Sequence, residues 1–222
     1  MARQSLWTDE YWLLLMQLYL RKPVGVKPIY SRGLVALSLE LHIRPQVLYE
    51  KMLRLRQLDT PQMEQLWAKY SGNPKRLSKE VKLLRQMNGF GQAEQFYEGV
   101  EVTESFERDF KPLAADSRYT PVMLVLILDL YFRLTPQTMV AETPEVAELA
   151  RLMKMKPQEV ADIMEIFQTC DPYLDRNALI TNPLQLPCME VWRKYADGNP
   201  EQLAAYAAQL KDYFRSPAPS KS

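Results

Sequence analysis

Two runs of cationic side chains are the part of this sequence best placed to do chemistry. Arg44, Lys51, Arg54 and Arg56 form the first, with Glu50 as their main acid; Lys75, Arg76, Lys79, Lys82 and Arg85 form the second. Members of the second run recur at spacings of three or four, so a helix would carry them on one face. Phosphates are attracted to such a face. A recognition helix reaches bases from its N-terminal part, which here means Arg44, Gln46, Val47 and Tyr49. The expected nucleic-acid-contacting set is therefore Arg44, Gln46, Tyr49, Lys51, Arg54, Arg56, Lys75, Lys79 and Lys82. The competing reading is plainer: a Lys/Arg face on a surface helix is often only solvated.

Catalytic chemistry finds little support. The chain has one histidine, His42, so a Ser-His-Asp set would have to use it, and nothing marks it for that role. No Cys/His spacing suits zinc, and Gly89-Phe90-Gly91 lacks the Lys-Ser/Thr of a phosphate-binding loop. Acid pairs such as Asp9-Glu10 are explained by helix N-termini. The expectation is a protein without enzymatic activity, cofactor or metal.

The elements that would position the basic runs occur twice. Trp7-Thr8 opens one copy and Tyr119-Thr120 the other, and the two stay in register at an offset of 112 residues. Leu18-Tyr19-Leu20-Arg21 falls on Leu130-Tyr131-Phe132-Arg133, Met52 on Met164, and Asp59 on Asp171. After an insertion at Leu174 to Pro187, Trp67-Ala68-Lys69-Tyr70 pairs with Trp192-Arg193-Lys194-Tyr195. Thr8 with Asp9 and Glu10 reads as a capped helix start. The cap-then-Pro device recurs at Thr60-Pro61, Asn73-Pro74, Thr120-Pro121, Thr143-Pro144 and Asn199-Pro200. Apolar residues at helical spacing then predict helices near 8–20, 31–42, 45–57, 61–71 and 74–88. Their counterparts fall near 120–133, 144–154, 157–169, 187–197 and 200–214. Strand-type alternation is missing over any useful length. The fold class expected is all-α: two tandem homologous helical bundles, spanning 1–91 and 119–215. Between them, 92–118 is an acidic linker whose Phe96, Tyr97, Phe106 and Phe110 predict docking, and 216–222 is expected to be a disordered tail.

The second and third helices of each copy form a helix-turn-helix-like pattern. A short apolar helix, a tight turn with one apolar residue (Ile43 or Met155), and a Pro-initiated helix follow in order. Here the chain resembles the helical domain at the N-terminus of certain bacterial HNH endonucleases and related predicted DNA-binding proteins. The elements that carry the likeness are Trp7-Thr8, Leu18-Tyr19-Leu20-Arg21, Glu148-Leu149-Ala150, Asp171-Pro172 and Trp192-Arg193-Lys194-Tyr195. The resemblance implies a fold and a DNA-binding role. It implies no nuclease, because the paired histidines of that site are absent.

Charge separates the copies. Residues 1–92 hold 15 Lys+Arg against 7 Asp+Glu, while 93–222 hold 13 against 20. The helix matching the first basic run carries Glu159, Asp162 and Glu165, which repel phosphate. Double-stranded DNA is thus the expected partner of the first copy, and a protein partner is open to the acidic second one. The alternative is a protein-interaction or scaffold module that binds no nucleic acid. With 47% hydrophobic residues, no apolar run of bilayer length and no signal-like start, the cytoplasm is the expected location, with Cys170 and Cys188 reduced.

Overall fold

The computed structural model describes residues 7–87, 90, 106–174 and 182–217. Among them the protein is all helical, with eleven α-helices, one short 3-10 turn (Pro136–Thr138) and no strand. The chain divides into two compact units, Met1–Thr103 and Glu104–Arg215.

The first unit holds α1 (Tyr11–Leu20), α2 (Arg32–Leu41), α3 (Pro45–Gln57), α4 (Pro61–Tyr70) and α5 (Pro74–Arg85). At its centre is α1, which buries Trp12, Leu14, Leu15, Met16 and Leu18 against α5, α3 and α2. A helix apolar on most sides is stable only when surrounded, and these neighbours surround it. Gly33 permits the close approach of α2, since a Cβ there would meet Leu18 Cδ1 at 2.8 Å. The capping logic holds for α4 and α5, where Thr60 Oγ1 accepts from Met63 N–H and Asn73 Oδ1 from Arg76 N–H. It fails at the start of α1. The helix begins at Tyr11 instead of next to Thr8, because Tyr11, Trp12 and Leu13 donate to the carbonyls three residues back. That tighter turn satisfies the first N–H groups without a side-chain cap.

The second unit holds α6 (Phe106–Phe110), α7 (Pro121–Tyr131), α8 (Pro144–Met153), α9 (Pro157–Cys170), α10 (Gln185–Tyr195) and α11 (Pro200–Arg215). Every residue of α7 from Val122 to Tyr131 is buried, and α7 touches each other helix of the unit. Thr120 and Thr143 make no cap bond to α7 and α8, unlike their expected role; the Thr143 hydroxyl donates to Thr138 O at 2.6 Å instead. The end of the expected linker docks as predicted from its aromatics: Phe110 is buried and its ring lies 5.3 Å from that of Tyr213. Phe96, Tyr97, most of the acidic linker, the tail beyond Pro217 and residues 175–181 of the insertion lie outside the described residues.

Burying Asp129 in α7 requires compensation, which Arg133 Nη2 provides at 2.8 Å from Asp129 Oδ2. Burial nevertheless pushes the carboxyl above its usual value, against the pull of Arg133 and Lys211. A raised folded-state value means that ionisation destabilises the fold as pH climbs through it. Asp129→Asn should therefore gain in stability over the native chain as pH rises from about 4 toward neutrality, and converge with it below. Denaturant unfolding at several pH values checks this; an equal gap at every pH would mean that the substitution acts through packing.

Candidate nucleic-acid interface

α3 buries Pro45, Leu48, Met52 and Leu55, so its other faces decide what it can contact. Arg44, at the N-cap, is exposed, and so is Gln46, whose Nε2 donates to Tyr30 Oη at 2.6 Å. Tyr49 and Val47 pack partly into the core. The outward stripe thus reads Gln46, Glu50, Arg54, with an acid between the other two. Arg54 is itself paired with Asp59 at 2.8 Å.

Lys51 sits elsewhere than a phosphate contact requires. Its ammonium lies 4.9 Å from the Trp7 ring centre and 5.5 Å from that of Trp12. Burial, helped by the Arg54 charge, holds its pKa below the usual lysine value, against Asp59 and Asp9. Sequence spacing could not reveal this, because Trp7 precedes the helix and reaches Lys51 only through the fold. Lys51→Ala should leave the salt dependence of duplex binding unchanged while costing about 0.5–1 kcal/mol of stability from the lost cation–π contact. Parallel salt titrations and denaturation curves test both halves of that statement.

α5 differs. Its buried face is Leu77, Val81 and Leu84, which turns Lys75, Lys79 and Lys82 outward at spacings of four and three. All three are exposed, as are Arg44 and Arg56, and none of the five forms an ion pair among the described residues. Arg76 is exposed but leans over the Tyr70 ring at 5.8 Å. Arg85 is held by Glu40 in a two-point bridge of 2.5 and 2.9 Å. One further cation of this half is withdrawn from the surface: Lys27 is buried, with Nζ donating to the carbonyls of Arg21 and Pro23. The open positive charge of the unit therefore concentrates on α5, with Arg44 and Arg56 at the two ends of α3.

The matching face of α9 in the second unit is acidic, with Asp162 and Glu165 exposed. Among the described residues no group of His, Cys, Asp and Glu is arranged to hold a metal ion. No described helix is long and apolar enough to cross a membrane. No family model matches this chain, and no curated protein or solved structure matches it either.

Proposed function

We propose that the first unit binds nucleic acid, double-stranded DNA in the first instance, and does so without catalysis. The lysine stripe of α5 contacts phosphates, Arg44 and Arg56 add to it, and α3 presents Arg44 and Gln46 toward bases. The observation that carries this reading is the exposure of Lys75, Lys79 and Lys82 on one helix face, with no ion pair among the described residues. Phosphate contacts set position and supply most of the non-specific affinity. With Gln46 engaged by Tyr30 and Glu50 on the same stripe, the base-reading share falls mainly to Arg44.

The same proposal includes two related helix-turn-helix-like units, akin to the helical domain of bacterial HNH endonucleases but without a nuclease, in a cytoplasmic protein. Supporting it, α2 and α8 end in left-handed residues, His42 and Lys154, that stand 112 positions apart. The next N–H in each case donates five residues back, Ile43 to Ser38 O and Met155 to Ala150 O. Tyr19 and Trp67 meet edge to face at 5.7 Å and 79°, and Tyr131 and Trp192 do so at 5.7 Å and 76°.

The test is anisotropy of a labelled duplex at two salt concentrations. Binding that weakens steeply with salt supports the reading. Absence of binding at low salt overturns it and leaves the protein-interaction alternative.

A further inference from the structure

The second unit carries a groove that the nucleic-acid reading does not use. It has a volume of about 280 Å³ and lies between the 136–142 segment and the outer face of α9. Met139 and Val140 supply apolar lining, and Glu142, Asp162 and Glu165 supply three carboxylates, all three on exposed residues. Asp162 accepts from Gln158 Nε2 at 2.8 Å, while Glu142 and Glu165 enter no ion pair among the described residues. At the floor, Gln168 is 4% exposed; its Nε2 donates to Met139 Sδ at 3.2 Å, and its Oε1 is buried with no hydrogen-bond partner.

A buried carbonyl oxygen without a donor costs roughly 1–3 kcal/mol, so such an atom facing a groove marks where a donor belongs. The rim is negative, which selects a cationic donor. A single metal ion does not fit, because these acids do not gather as a metal-binding group. An aliphatic chain with separated ammonium groups does fit: its methylenes lie on Met139 and Val140, one ammonium donates to Gln168 Oε1, and the others face Glu142 and Glu165.

We propose that this groove binds a small aliphatic polyamine. The probe is spermidine, titrated calorimetrically into the full chain at low ionic strength. Saturable binding at one site per chain is expected. Glu142→Gln with Glu165→Gln, and separately Gln168→Leu, should each weaken it at least about tenfold, as loss of a charge-assisted hydrogen bond requires. Gln168→Leu should also keep or raise the melting temperature, since it removes an unpartnered buried oxygen. Spermidine binding unaltered in Gln168→Leu would reduce the effect to diffuse surface charge and overturn the proposal. A melting temperature that falls in that variant would do the same, by making Gln168 a structural acceptor. A trilysine peptide binding more tightly than spermidine, with the same dependence on these residues, would turn the groove into a docking site for a basic protein segment. None of these substitutions touches the first unit, so duplex binding is an independent readout.

Discussion

Replacing Lys75, Lys79 and Lys82 together by alanine is expected to weaken duplex binding strongly and to flatten its dependence on salt. Each phosphate contact contributes about 0.9 to the slope of log affinity against log salt. Three contacts thus account for about a 40-fold difference in affinity between 50 and 200 mM salt, which the native chain should lose and the variant should not. The substitutions lie on an exposed face of α5, opposite Leu77, Val81 and Leu84, and alanine favours helix over lysine. A lost interaction is therefore not a lost fold, and unchanged circular dichroism would establish that. Arg44→Ala serves as the contrast. It should change preference among duplex sequences more than it changes the slope, if the N-terminal end of α3 faces bases. A triple variant with the native slope would remove α5 from the interface and with it the central claim about function.

The charge distribution behind that prediction was half legible in the sequence. Spacing alone placed Lys75, Lys79 and Lys82 on one face, because on a helix with Leu77, Val81 and Leu84 inward no other arrangement is available. Likewise, Pro at positions 45, 61, 74, 121, 144, 157 and 200 marked helix starts to the residue. What spacing could not supply was the fate of each charge. Lys51 is drawn over Trp7 and Trp12, Arg54 is tied to Asp59, and Arg85 reaches Glu40 across 45 residues. Such pairings depend on how α3 and α5 are placed around α1, which local periodicity does not encode. The groove of the second unit was invisible for a similar reason. Its floor residue, Gln168, reads as one more polar position near the end of α9, and the 136–142 segment beside it has no helical or strand period. Only the pairing of Met139 with Gln168 brings the two together.

The largest expected loss of stability comes from Phe167→Ala. Phe167 is fully buried in α9, and its ring lies 6.2 Å from Tyr131 and 6.3 Å from Trp192. Removing it should cost about 3–5 kcal/mol, because both the transfer energy and an unfilled cavity count against the variant. That is a large share of the ~5–15 kcal/mol that stabilises a typical domain. Leu55, 112 positions earlier, is also fully buried, in the core formed by α1, α2 and α3. Leu55→Ala should cost about 2–5 kcal/mol for the same reason. Hydrogen exchange locates the damage: Phe167→Ala should accelerate exchange in α7, α9 and α10, and Leu55→Ala in α1, α2 and α3. If the two units derive from one ancestral packing, the variants should weaken corresponding helices in the same order. A severe effect at Phe167 beside a negligible one at Leu55 would mean that these positions do not play equivalent parts, and the common descent inferred from their spacing would lose its structural footing.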